Sequence, residues 1–311
     1  MSYNLVGTPK FYIDAVLLAR KLGHVTTENA QGKYYLNPTK TTNIEGDDSS
    51  NALISIFMDR LYCNAITHCF ILGHQFDEDG ISVQGNTISE TGIQGQLFAI
   101  DAPDNNGFSK YEGANTGNLD ANRFTINLSN VPEGGTPLGD ISVGWSYTMP
   151  HSPDLELTQT FANESLRVQT TKGGHTLTST GWTQPPKWGN YSQWKRSSQV
   201  AYPTRRSWNL KFSYLSDSDM MPQYYNEIDD NNHNRGIFER THDGIQFDTF
   251  NIKDNFLSKV MPTINLGLFF IFQPNKDVEE YAICRVNANS VTMNQVAHSV
   301  YDVSLDIVEI W

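Results

Sequence analysis

Four side chains of the kind that bind zinc crowd into twelve residues: Cys63, His68, Cys69 and His74. Structural zinc sites bring two such ligands within two to four residues of one another on a tight knuckle. Here the cysteines are six apart, and His68 and Cys69 are adjacent, so a strand would point them to opposite faces. The spacing predicts packing rather than metal. Asp77-Glu78-Asp79 before Gly80, and Asp229-Asp230-Asn231-Asn232 before His233, offer the oxygens that hard cations prefer. Neither has the alternating acids and distant Glu of a calcium loop, and both read as solvated turns. No metal ligand and no cofactor are expected.

Nucleophilic chemistry finds no better footing. In the stretch from Gly139 to Gly144 the only hydroxyl, Ser142, sits in the wrong frame for a G-x-S-x-G elbow. The zincin helix signature and the phosphate-binding P-loop are both absent from the sequence. Two carboxylates for glycoside cleavage can lie far apart in a chain, and no pair stands out. The reading is a protein that is not an enzyme, with no catalytic residue assigned. One aromatic group remains: Trp182, Trp188, Tyr191 and Trp194, set among Gly, Pro and Ser. Such rings form a platform for sugars or a protein contact surface. They equally fill the gap between two β-layers, and the sequence leaves both readings open.

The elements that would position these groups are mostly strands. Charged residues make up only 18% of the 311, which suits β-layers joined by polar turns better than helical bundles. The C-terminus is the clearest case: Tyr301, Val303, Leu305 and Ile307 alternate with Asp302, Ser304 and Asp306, the period of a half-buried strand. Two further short runs precede it from Tyr281. Between about 52 and 161, NALISIFM, AITHCFILGHQF, GISVQGN, GQLFAI, NRFTINL and GDISVGWSYTM are short β-prone runs separated by turn residues. RRSWNLKFSYL at 205–215 alternates again, placing Trp208, Leu210, Phe212 and Tyr214 on one face. Helices are expected at two places only. Asp14 caps a short one that ends near Gly23 with Arg20 and Lys21 in its last turn. Another falls within 251–260, where Phe256, Leu257 and Val260 have helical spacing. The segments 24–51 and 220–244 read as polar loops, the first with a short extended KYYL.

A net charge of −12 speaks against nucleic acid as a partner, because duplex binding rests on Lys and Arg at phosphates. Three scattered cysteines form no disulfide framework and point to reduced thiols. The apolar AVLLA run after Asp14 is too short for a secretory signal, and Leu266 to Phe272 is far below the ~20 residues of a membrane span. Synthesis in a cytoplasm, without membrane insertion, is the expectation.

The order of several segments resembles tail and virion structural proteins of tailed bacteriophages, especially marine phages. The segments are GTPKFYIDAVLLARKLG at the N-terminus, AITHCFILGHQF, TTKGGHTL at 170–177, RRSWNLKFSYLSDSDMMP at 205–222, LFFIFQPN at 268–275 and NQVAHSVYDVSLDIVEIW at 294–311. Together they span about half of the chain, and they are patterns of packing residues. Within the second, Ile71, Leu72, Gly73 and His74 are similar to the opening of discoidin-like jelly rolls inserted in such proteins, although Gln75 stands where Asn is usual.

The resemblance implies a mainly β protein of two packed β-sandwich or jelly-roll modules with one or two short helices. Residues 1–45 plus 165–311 would form a discontinuous tail-assembly domain, and 46–164 a jelly-roll insert. It further implies a virion component of the distal tail, baseplate or tail tip, made in the host cytoplasm. Its partners would be copies of itself in a symmetric ring, other tail proteins such as tube, hub or fibre, and host-surface glycans. Rings need head-to-tail contacts, which exposed strand edges can supply. The competing expectations are a carbohydrate-binding module acting in host-surface recognition and, third, a glycan-degrading tail enzyme.

Overall fold

The computed structural model describes residues 6–23, 25–28, 42–58, 66–76, 80–89, 92–100, 108–113, 123–154, 158–163, 166–180, 204–220, 238–241, 244–247, 255–287 and 291–310. The protein is mainly β, with several packed antiparallel sheets.

The chain opens with strand β1 (Lys10–Asp14), which runs directly into helix α1 (Ala15–Leu22). The helix begins where the Leu17 amide donates to Asp14 Oδ1 at 2.8 Å, and ends at Gly23, whose φ of 82° lets its N–H turn back onto the last carbonyls. Strands β2 (Val25–Glu28), β4 (Asn51–Met58), β6 (Ser82–Ser89), β7 (Gly92–Ile100) and β9 (Arg123–Ser129) form a five-stranded sheet in the order β2-β4-β9-β6-β7. Among the described residues strand β3 (Thr42–Ile44) pairs only with β10 (Thr136–Leu138), and β16 (Phe238–Thr241) only with β17 (Gly244–Phe247).

The second sheet is larger. It takes β1 together with β5 (His68–Leu72), β8 (Phe108–Glu112), β11 (Asp140–Thr148), β12 (Thr158–Asn163), β15 (Thr204–Ser216), β18 (Phe270–Gln273), β19 (Ala282–Val286) and β21 (Val300–Glu309). Their order is β12-β15-β21-β19-β18-β1-β11-β5-β8, and β20 (Thr292–Ala297) adds to β21. The N-terminal strand thus joins the C-terminal sheet, with Phe11 opposite Phe272. It also pairs on its other side with β11, so hydrogen bonding runs across the positions 45/46 and 164/165. In the same way β2 pairs with β4.

The two sheets share one core. Phe11, Ile13, Cys69, Ile71, Ile141, Val143 and Trp145 of the large sheet lie in a single buried cluster with Ile54, Ile56, Val83, Phe124, Ile126 and Leu128 of the smaller one. Alternation along each strand delivers these residues to one face. Ala15, Leu18 and Ala19 of α1 belong to the same cluster. The opposite face of the large sheet buries a second group: Tyr12, Phe70, Leu72, Ile271, Tyr281 and Ile283. Strands buried on both faces explain why FILGH and FFIF read as continuous apolar runs.

Four short helices occur among the described residues, where one or two were expected. Beyond α1 they are α2 (Asp217–Met220), α3 (Phe256–Lys259) and α4 (Met261–Asn265). Asn255 caps α3 by accepting from the Ser258 amide at 2.9 Å, and Pro262 falls in the first turn of α4. Trp145 Nε1 donates to the Lys259 carbonyl at 3.0 Å, which seats α3 on the core. None of the helices among the described residues is long and apolar enough to cross a membrane.

One expectation about faces is corrected. Trp208, Leu210 and Phe212 are buried together, but Tyr214 is 83% exposed. The register on β21 jumps from Phe212 opposite Val303 to Leu215 opposite Tyr301, so β15 carries one extra residue. Tyr214 takes a φ of 62°, its amide donates to Asp302 Oδ1 at 3.3 Å, and Leu215 fills the inward position instead.

Candidate interaction surface

Trp182, Trp188, Tyr191 and Trp194, the aromatic group singled out in the sequence, lie outside the described residues, as do Cys63, Asp77 to Asp79 and Asp229 to His233. The rest of the zinc-like group is described and is dispersed by the pleat. Cys69 faces the shared core, whereas His68 stands on the opposite face between Tyr12 and Phe70 at ring distances of 5.1 and 5.5 Å. Among the described residues no group of three or more His, Cys, Asp or Glu side chains could hold a metal ion.

Around His68 the second face of the large sheet gathers its titratable groups. Tyr12 Oη lies 2.8 Å from Gln273 Oε1 and 3.1 Å from Glu112 Oε2. Lys10 and Lys110 both pair with Glu112, and Lys110 donates to Tyr281 Oη at 2.8 Å. Burial lowers the pKa of each lysine, and each stands close over the Tyr12 ring. Burial likewise raises both phenols well above the usual range. His68 is pushed down to about 3, first by burial and then by the two lysines, and among the described residues neither ring nitrogen has a hydrogen-bond partner. An imidazole so weakly basic is poorly matched to proton transfer near neutrality. The cluster reads as a packed aromatic floor with its charges tied to one another.

His74 and Ser109 have the outward form of a catalytic dyad, at 2.8 Å from Nε2 to Oγ. The Phe76 amide donates to His74 Nδ1 at 3.3 Å, so in the neutral ring Nε2 carries the proton and the serine oxygen accepts. That tautomer cannot deprotonate the serine. Burial holds the ring down at about 4, and it stacks on Phe76 with centroids 4.2 Å apart. The pair joins β8 to the turn after β5. The buried thiols Cys69 and Cys284 are both raised in pKa by burial, the reverse of a reactive cysteine.

What the sheets leave uncovered is more distinctive. Strands β13 (Leu166–Thr170) and β14 (Thr176–Thr180) pair with each other and with no other strand among the described residues. Their turn is fully built: the Thr171 amide donates to the His175 carbonyl at 2.8 Å, the Gly174 amide to the Thr171 carbonyl at 2.9 Å, and Gly174 has a φ of 81°. Val168 and Leu177 are nonetheless 55% and 59% exposed, and cross-strand register puts them on opposite faces of the hairpin. The segment 170–177, read in the sequence as packing residues, is exposed throughout.

The second uncovered element is β20. All six of its residues are exposed, including Met293 and Val296. It is hydrogen-bonded to β21 alone, and no other strand among the described residues pairs with its second edge. Sequence reasoning read β20 as one of three C-terminal strand runs but missed that both elements are uncovered, because their alternation resembles that of buried strands. The available signal was polarity on both faces, TMNQVA in one and TLTST in the other. No protein-family model and no curated protein matches this chain.

Proposed function

We propose that this chain is a structural component of a bacteriophage tail, of the distal-tail, baseplate or tail-tip kind. In this reading it assembles with copies of itself into a symmetric ring and connects the tail to adsorption proteins. The observation that carries the reading is the hairpin β13–β14, whose described side chains are exposed on both faces. A two-stranded hairpin is marginally stable in water by itself and gains most from a surface to pack against. An assembly partner provides that surface. The core supports the same view, since two sheets and α1 share one apolar cluster suited to a rigid building block. The resemblance of the segments at 7–23, 205–222 and 294–311 to phage tail proteins names the assembly.

Mass spectrometry of gradient-purified particles of the phage that encodes this chain tests the reading. Many stoichiometric copies per particle are the expected result. A chain made during infection yet missing from purified particles would sink the proposal.

A further inference from the structure

We propose that β20 of one copy receives the Leu166–Thr180 hairpin of the next copy as an added strand, in a head-to-tail contact. This inference rests on the self-assembly reading and names the two surfaces that carry it out.

Three observations support the pairing. The first is that each element has what the other lacks. An open edge presents unpaired N–H and C=O groups, and natural proteins guard such edges with Lys, Pro or inward charge. β20 contains none of these: Thr292, Met293, Asn294, Gln295, Val296 and Ala297 are all uncharged. It carries one guard of another kind, a bulge in which Val296 is the extra residue between Gln295 and Ala297, so the regular part of the edge is Thr292 to Gln295. β14 is likewise uncharged, and both elements expose aliphatic side chains, Leu177 on one and Met293 and Val296 on the other.

The second observation is charge. From 166 to 180 the sequence holds Arg167, Lys172 and His175 and no Asp or Glu, within a chain of net charge −12. The sheet around β20 is acidic at the same end: Asp302 lies opposite Asn294, and the Asp217 amide donates to the Ser299 carbonyl in the turn from β20 to β21. Asp219 follows in the same helix. A basic hairpin approaching this end is attracted, whereas two β20 edges approaching each other bring like charges together.

The third is topology. β13 begins three residues after β12 ends, and β12 lies at the edge of the large sheet. β15 and β21 separate β12 from β20, so the strand feeding the hairpin and the open receiving edge fall on opposite sides of the β15–β21 pair. Two different surfaces on opposite sides of one unit produce heterologous contacts, which close into rings or continue as filaments. Strand addition supplies main-chain hydrogen bonds, and the exposed Leu177, Met293 and Val296 supply apolar contact.

Two substitutions test the contact. Val296→Lys places a guarding cation on the open edge, and Leu177→Asp puts an acid on the hairpin that faces the acidic end. Both side chains are exposed, and an unchanged melting temperature and circular dichroism spectrum show that each variant is folded. Analytical ultracentrifugation then reads assembly. Wild type is expected to form concentration-dependent oligomers, and each variant alone a monomer, with association weakened at least tenfold. An equimolar mixture of the two variants retains one intact hairpin and one intact edge, so it is expected to yield dimers and nothing larger. A mixture that stays monomeric, a single variant that assembles like wild type, or a wild type monomeric at its highest concentration overturns the contact. The particle composition experiment is independent of these results. Protein present in particles while these variants still assemble leaves the tail reading standing and removes this interface.

Discussion

Arg206 and Glu309 meet in a bidentate ion pair, Nε to Oε2 and Nη2 to Oε1 both at 3.0 Å, at a depth where each side chain is 3% exposed. The Arg206 amide also donates to Glu309 Oε2 at 2.9 Å, and Nη2 donates to the Tyr281 carbonyl at 3.1 Å. Glu280 pairs with Nη1, and the Trp208 ring lies 5.1 Å from the guanidinium carbon. The guanidinium therefore ties the start of β15 to the end of β21 and to the entry of β19. Desolvating two charges is costly, and only this dense set of partners offsets it. Removing one partner strands the other.

Glu309→Ala is accordingly expected to destabilise the fold by about 3–5 kcal/mol. The double variant Arg206→Met with Glu309→Leu is expected to be markedly milder, since no uncompensated charge remains. Denaturant melts of the wild type, both single variants and the double variant check the ordering. A double variant as unstable as the worse single one would contradict this account.

Gly144 is expected to tolerate no side chain. A Cβ built there meets the Ile13 carbonyl oxygen and lies 2.7 Å from the Ala15 nitrogen, at the point where β1 passes into α1. Both obstacles are backbone and neither can rotate away. Gly144→Ala should cost at least ~2 kcal/mol by overpacking. Gly173→Ala is the control, because its Cβ meets nothing closer than 3.7 Å, and its change should stay within about 0.5 kcal/mol. Equal denaturation midpoints for the two variants would remove the steric argument.

These two sites show what the sequence reveals and what it hides. The alternation at 301–307, the Asp14 cap and the Gly23 stop were legible because each is a local pattern with a fixed period or chemistry. Tyr214 was not, because one extra residue inverts every face after it and leaves no compositional mark. Arg206 and Glu309 read as ordinary strand charges; only the pairing of β15 with β21 brings residues 103 positions apart into contact. Gly144 seemed part of a failed nucleophile motif, whereas its role is to let β1 turn into α1. The uncovered hairpin and β20 look like buried strands, since a period of two does not say whether either face meets a core.

Asp14→Asn is expected to stabilise the protein more at pH 8 than at pH 4. Burial raises the Asp14 carboxyl to about 6, against the opposing pull of the Leu17 amide, the Ser142 hydroxyl and Arg20. The unfolded carboxyl titrates near 4, so between about 4 and 6 the folded state binds more protons than the unfolded state. Stability therefore falls as pH rises through that window, and the penalty is complete above it. A two-unit shift corresponds to roughly 3 kcal/mol. Asn caps a helix about as well as Asp and does not ionise, so it keeps the bond from Leu17 and removes the penalty. Melting temperatures of both proteins from pH 4 to 8 should diverge with rising pH; parallel curves would rule out this role for Asp14.

His68→Phe is expected to have the opposite pH signature. The ring is fully buried, has no partner at either nitrogen among the described residues, and packs edge-on against Tyr12 and Phe70. Its pKa falls to about 3 in the fold, against about 6.5 for a free imidazole. Between those values the unfolded state binds more protons, so the wild type loses stability as pH falls from 6.5 toward 3. Phenylalanine has a similar shape with no polar atom to desolvate, and should gain about 1–3 kcal/mol even at pH 8. The gain should widen at pH 5, where the wild type is already losing stability and the variant is not subject to this term. Urea midpoints of both proteins at pH 8 and pH 5 decide the matter. A gain that is the same at both values would mean that His68 does not titrate on unfolding, and a loss at pH 8 would mean that its ring nitrogens are satisfied after all.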